Sequence, residues 1–281
     1  MNLEKELDII ISNAIREDVG DGDHSSLASI PESVQGKAKL LVKEEGVLAG
    51  VEAAKKVFSY VDSNLKIETF IEDGSNVKIG DIAFVVEGSS LSILKSERLV
   101  LNIMQRMSAV ATKTSHYVNI VKGLNTTILD TRKTTPGIRA LEKWAVKIGG
   151  GDNHRFGLYD MVMLKDNHLD FAGGITKAIN KTIEYLKSNN LDLKIEVEAR
   201  DLNEVKEVMA VGGVHRIMLD NFNYDDTRTA VALIDGKYET ESSGGITDDT
   251  LRNYAECGVD FISIGALTHS VSSMDLSLKA F

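Results

Sequence analysis

The sequence predicts an α/β protein in two parts: a small mixed α+β half, then a parallel, barrel-like sheet that is incomplete. From Thr126 onward, short apolar runs alternate with amphipathic stretches through six strand–loop–helix units. Such alternation with short connections means parallel strands and right-handed crossovers, and six units fall short of the eight that close a complete barrel. Before Thr126 the strands are short and separated by turn dipeptides, as in a mixed layer. Finally, each βα unit carries polar residues just after its strand, where parallel sheets gather their sites.

The chain has 281 residues, 43% hydrophobic and 26% charged, ordinary values for a globular protein with a sizeable core. No apolar run is long enough for a membrane helix. The segment MNLEKELDIIISNAIREDVG mixes charge through its apolar stripe and is not expected to be a secretory signal. Cys257 is the single cysteine, so no internal disulfide can form, which fits the cytoplasm. It is expected to pack rather than react. A formal charge of -10 argues against general nucleic-acid binding.

In order, Leu3, Leu7, Ile10, Ile11, Ala14 and Ile15 recur at helical spacing, and Gly20 ends the run. Gly20 to Ser26, GDGDHSS, reads as a turn; its carboxylates match no calcium-loop spacing. Strands are expected at Lys37–Lys43, Val47–Ala49, Lys66–Ile71 and Ile82–Val86, with a helix over Val51–Val61. Leu91 to about Val121 reads as one long helix, with Arg98 and Arg106 near one face. That pair suits either a salt-bridged surface or recognition of a carboxylate or phosphate.

The later strands are expected at Thr127–Asp130, Met161–Leu164, Lys194–Val197, Arg216–Leu219, Glu239–Glu241 and Phe261–Ile264. The helices between them are expected at Ile138–Ile148, Ile175–Leu186, Leu202–Met209, Asp226–Leu233 and Asp248–Glu256. Arg132 and Lys133 follow the first strand, Lys165 and Asp166 the second, Glu198 the third. Asp220 ends the fourth, Ser242 to Gly245 follow the fifth, and Gly265 follows the sixth.

The window Thr131–His168 holds seven lysines and arginines against four acids, within an acidic chain. Cations gathered beside glycines point to a bound anion. Gly244-Gly245 and Gly265 suit a phosphate, because backbone N–H groups at helix starts favour anions. Glu198 and Asp220 on neighbouring strands suit an acid/base pair, Mg2+, helix capping or pairing with a barrel cation, of which Mg2+ is favoured beside a phosphate seat. His154 beside Arg155 suits an anion contact. His168 is as well explained structurally, and neither histidine has a zinc-spaced partner.

At these residues the chain resembles the quinolinate phosphoribosyltransferase (decarboxylating nicotinate-nucleotide pyrophosphorylase) family. The resemblance runs nearly end to end, through EDVGDGDHSS, GVLAG, SERLVLNIMQRMS, TRKTTPGIRALEKWAVKIGGGDNHRFGLYDMVMLKDNH, EVEA, IMLDNF, SSGGIT and ISIGALTHS. Ala109 stands where the family usually has glycine, and Ala199 where it often has valine. The resemblance implies an N-terminal α/β sandwich over 1–112, joined by 268–281, and an α/β barrel over 113–267. It implies formation of nicotinate mononucleotide, CO2 and pyrophosphate from quinolinate and phosphoribosyl pyrophosphate, in NAD biosynthesis. Arg98, Arg132, His154, Arg155 and Lys165 would surround quinolinate, with Arg98 coming from the neighbouring subunit of a homodimer or larger homo-oligomer. Lys133, Glu198, Asp220, Ser243, Gly244, Gly245, Gly265 and Ala266 would hold phosphoribosyl pyrophosphate. Glu198 and Asp220 would also hold Mg2+, and with Lys133 would form the catalytic group.

Two other readings share the scaffold. One is a paralogue using another base or anion. The other is a non-catalytic barrel that senses phosphorylated metabolites, since fold alone does not fix function.

Overall fold

The structure, a computed structural model, describes residues 3–281. In chain order it contains α1 (Leu3–Val19), α2 (His24–Ser29), β1 (Gln35–Val42), β2 (Gly46–Val47), α3 (Val51–Val61), β3 (Lys66–Thr69), β4 (Asn76–Val77), β5 (Ile82–Ser89), α4 (Ser90–Ile120) and β6 (Thr127–Leu129). It continues with α5 (Arg139–Ile148), β7 (Val162–Leu164), α6 (Asp166–Ala172), α7 (Ile175–Ser188), β8 (Ile195–Ala199), α8 (Leu202–Val211) and β9 (Arg216–Asp220). The last elements are α9 (Tyr224–Ile234), β10 (Glu239–Ser243), α10 (Asp248–Ala255), β11 (Phe261–Ser263), α11 (Ala266–His269) and β12 (Leu276–Ala280). The chain divides into two compact units. The first takes Met1–Ser115, Lys133–Gly150 and Ala266–Phe281; the second takes His116–Arg132 and Gly151–Gly265.

The first unit is built on an antiparallel sheet of order β12-β1-β5-β3. Its central strand buries alternate residues, Ala38, Leu40 and Val42, as a period of two requires. The long helix α4 satisfies polar backbone near the short β2: Ser108 Oγ accepts the Ala49 N–H at 2.9 Å, and Thr112 Oγ1 accepts that of Val47 at 2.9 Å. Gly50, at φ +97°, lies so near α4 that a Cβ would stand 3.2 Å from Met104 Cα, so glycine is needed there. Gly20 to Ser26 is only half a turn. Asp23 accepts the Ser26 N–H at 3.1 Å and so caps α2, a helix too short for its periodicity to be read.

Helix α5, expected to cross between barrel strands, groups with the first unit. Its Glu142 is fully buried and meets Arg106 of α4, with Nη2 at 2.7 Å and Nε at 2.9 Å. The same carboxylate accepts the Thr135 N–H and hydroxyl. Arg106 also donates to the carbonyls of Thr268 and Val271. Arg106 is therefore a structural arginine.

The second unit is a six-stranded parallel sheet of order β6-β11-β10-β9-β8-β7. The expected strands and the expected helices of this half lie within two residues of the observed ones. Among the described residues β6 and β7 do not pair with each other. Asp152 instead bridges to Leu129 in parallel, donating its N–H to the Ile128 carbonyl at 2.8 Å and accepting that of Asp130 at 3.2 Å. Sequence periodicity does not reveal α6. Its polar start is stabilised by His168 Nδ1, which accepts the Lys165 N–H at 3.0 Å, so His168 is a capping residue. No helix among the described residues is long and apolar enough to cross a membrane.

Candidate active site

The parallel strands of the second unit deliver their terminal polar residues to one end of the sheet. Lys165 follows β7, Glu198 is the fourth residue of β8, and Asp220 and Ser243 end β9 and β10. Register places Glu198 opposite Met218 and Asp220 opposite Ser243, so these side chains form a row across neighbouring strands. Lys165 Nζ lies 2.9 Å from Glu198 Oε2, with the carboxylate buried and the lysine half-exposed. Burial first, and then the negative charge of Glu198, raises the Asp220 carboxyl above its ordinary value. Asn221 Nδ2 donates to Asp220 at 2.7 Å and so fixes that carboxylate.

The turn after β10 is tightly organised. Asn221 adopts φ +56° and donates its N–H to the Ser243 carbonyl at 2.9 Å. Gly244, at φ +96°, faces the Asn221 side chain so closely that a Cβ there would collide with it. Around Gly245, at φ +61°, the space a Cβ would fill is open. Backbone can thus approach an anion at this turn. The glycines do not themselves start a helix: α10 begins at Asp248, capped by Thr247.

Arg155 is buried, and its Nη1 donates to the Met161 carbonyl at 3.3 Å. Its guanidinium is held below its ordinary value by burial and then by the charge of Arg132. Two arginines that repel each other are matched to a dianion, which relieves the repulsion. The backbone carrying Arg155 is stitched to the end of β6. Asp130, fully buried, accepts the His154 N–H at 2.9 Å and Asn153 Nδ2 at 2.6 Å.

The expected site residues thus divide. Arg132, His154, Arg155, Lys165, Glu198, Asp220, Ser243, Gly244, Gly245 and Gly265 all belong to the second unit, whereas Arg98, Lys133 and Ala266 belong to the first. Arg98 is exposed on α4. His154 is buried, and its ring is engaged inside the protein. Nδ1 accepts the Arg155 N–H at 2.7 Å, and Nε2 stands 2.9 Å from Glu196 Oε2 and 3.5 Å from Glu241 Oε2.

Glu196, Glu241 and Arg216 were not anticipated from the sequence. Arg216 Nη1 donates to Glu241 at 2.8 Å and Nη2 to Glu239 at 3.0 Å, over the Phe261 ring at 3.9 Å. Burial pushes the Glu196 and Glu241 carboxyls well up. The available signal was period two: Glu196 shares a strand face with Glu198, Arg216 with Asp220, and Glu241 with Ser243. Barrels usually fill this interior with branched aliphatic side chains; here it is ionic.

Fold and site together define an α/β protein of the TIM-like barrel class, with charged side chains gathered at one end of its parallel strands. Family models described as the quinolinate phosphoribosyl transferase N-terminal and C-terminal domains match residues 23–108 and 110–279. The chain therefore belongs to the quinolinate phosphoribosyltransferase family. It is 46% identical to the chloroplastic nicotinate-nucleotide pyrophosphorylase (carboxylating) of Oryza sativa subsp. japonica, over 98% of this chain and 77% of that one. It is 38% identical to the probable enzyme of that name in Bacillus subtilis, over 96% and 91%. Its fold matches the crystal structure of NadC from Streptococcus pyogenes with a TM-score of 0.92 and 38% identity, covering 98% and 96% of the two chains.

Proposed function

We infer that the chain joins quinolinate to phosphoribosyl pyrophosphate, giving nicotinate mononucleotide, CO2 and pyrophosphate. What supports this reading within the structure is that two kinds of charged group occur in the same unit. Mutually repelling Arg132 and Arg155 suit a dicarboxylate, and Lys165–Glu198 with Asp220 and the Gly244-Gly245 turn suit a phosphorylated ribose.

Arg132, Arg155 and Lys165 bind the two quinolinate carboxylates and hold the ring nitrogen in line with the anomeric carbon. Much of the acceleration is then positioning. Glu198 and Asp220 hold the ribose hydroxyls, Ser243 to Gly245 with Gly265 and Ala266 seat the 5'-phosphate, and Lys133 binds the pyrophosphate end. The same two carboxylates fit Mg2+: they are oxygen donors on adjacent strands, and the repulsion that raises Asp220 is one a cation removes. When bound, Mg2+ would supply charge stabilisation for the departing pyrophosphate. The ribosylated ring nitrogen is cationic, so the ring accepts the electron pair left as the adjacent carboxylate departs as CO2. No side-chain nucleophile is needed.

Exposed Arg98 suits a role in a second copy's site, so a homodimer or larger homo-oligomer is part of this reading. The cytoplasm is its proposed compartment, which suits the single unpaired Cys257.

The test is turnover with phosphoribosyl pyrophosphate, Mg2+ and either quinolinate or nicotinate, following CO2 and nucleotide. One CO2 per nucleotide from quinolinate, and none from nicotinate, is expected. Nucleotide from nicotinate alone would support a paralogue with another base, and turnover of neither would support a metabolite sensor.

A further inference from the structure

The interior of the second unit holds a cluster to which the reaction proposed above assigns no role: His154, Glu196 and Glu241. One ring nitrogen and two carboxylates lie within 4.8 Å of one another, all buried. The composition is that of a metal site, but the hydrogen bonds argue otherwise. His154 Nδ1 accepts the Arg155 N–H at 2.7 Å and so carries no proton. A neutral imidazole must then carry its proton on Nε2, facing Glu196 Oε2 at 2.9 Å and Glu241 Oε2 at 3.5 Å. A metal on Nε2 would require either an imidazolate or a proton on Nδ1, and the latter would collide with the Arg155 N–H. The carboxylates also have cationic company already, since Arg216 donates to Glu241 at 2.8 Å.

We propose that His154 is a positioning residue, a neutral Nε2–H imidazole wedged between Glu196/Glu241 and the Arg155 backbone, which sets Arg155 for the quinolinate carboxylate. This rests on the activity inferred above and departs from the resemblance, which places His154 against the substrate. Both acidic side chains present an oxygen to Nε2 from one side, at 2.9 and 3.5 Å, and an acceptor there favours the proton on Nε2 whichever of the two is ionised. The lone pair thereby left on Nδ1 anchors the Arg155 N–H. Asp130 anchors the preceding N–H at 2.9 Å, so two successive peptide groups are fixed where the arginine leaves the chain. A buried arginine that must meet a carboxylate in one orientation needs such a rigid root.

Two measurements test this. In protein labelled with 15N at histidine, two-bond nitrogen–proton spectra report the tautomer of each ring, and His154 is assigned by the signal lost in His154→Asn. A neutral Nε2–H form, unchanged on saturation with quinolinate, is expected. An imidazolium, an Nδ1–H form, or ring nitrogens that shift as a carboxylate binds would overturn the proposal.

The second measurement compares two amides. Asparagine places an oxygen where Nδ1 accepts, whereas glutamine reaches toward Nε2 instead. His154→Asn is expected to raise the quinolinate KM about threefold and His154→Gln about thirtyfold, with kcat and the phosphoribosyl pyrophosphate KM little changed. Equal losses in the two variants, or a loss confined to kcat, would refute the assignment. If the wild-type chain turns over no quinolinate, the activity reading fails by itself. Quinolinate Kd by calorimetry then replaces KM, with the same ordering expected and equal losses still refuting the assignment.

Discussion

At the scale of single residues, the site is a set of charges whose energies depend on partners a few ångströms away. Lys165→Ala removes the 2.9 Å partner of a buried carboxylate and, in the function proposed above, a contact to substrate. It is expected to cost about 2–5 kcal/mol of quinolinate binding, seen as a large rise in KM; unchanged kinetics would remove Lys165 from the pocket. Arg155→Ala should behave alike. Glu241 carries a pH signature. Burial, then the charge of Glu196, pushes its carboxyl from 4.5 up to about 7 in the folded chain. The folded state therefore holds a proton that the unfolded state has released between those two values. Stability contributed by this group is full below 4.5 and declines as pH rises toward about 7. Unfolding midpoints measured across that window should fall, and the fall should be shallower in Glu241→Gln. An equally steep fall in the variant would mean that Glu241 is ionised throughout.

At the scale of elements, two places concentrate strain or buried charge. Gly244 combines φ +96° with a side-chain neighbour that a Cβ would strike. Gly244→Ala is expected to cost about 1–3 kcal/mol of stability and to weaken phosphoribosyl pyrophosphate binding, because the turn after β10 must open to admit the methyl group. A variant with unchanged melting temperature and KM would show that the turn yields freely. In the first unit, Arg106→Ala strands the fully buried Glu142 without its cation. Breaking a buried pair from one side is costly, and about 3–5 kcal/mol of stability should be lost in denaturant unfolding. A loss below about 1 kcal/mol would place the pair among ordinary surface ion pairs.

At the scale of the whole molecule, the open question is how many chains build one site. If Arg98 serves a second copy, Arg98→Ala and Lys133→Ala are each defective alone but complementary together. In a symmetric dimer mixed at equal proportion, half the dimers are mixed and each has one intact site, so about a quarter of wild-type activity should return. No recovery after verified subunit exchange would confine Arg98 to its own chain.

Legibility from the sequence followed the range of the interaction that made each feature. The parallel strands and their helices were readable because hydrophobic periodicity is local, and the residues at strand ends could be placed because a strand's direction fixes where it stops. Arg132, Lys165, Glu198 and Asp220 stand out on that ground, whereas Arg155 stands out through the cation-rich window that holds it. Helix α6 escapes because its seven residues are too few for a periodicity to show, and its cap comes from His168, a side chain three positions along. What only the tertiary structure decided is which charges face one another inside the second unit. Glu196 and Glu241 look like surface acids in a list of letters, and nothing there sets His154 beside them. Folding buries the three and brings them within 4.8 Å of one another. Electrostatic energy depends on separation in space and exclusion of water, and neither is written in the order of residues along a chain.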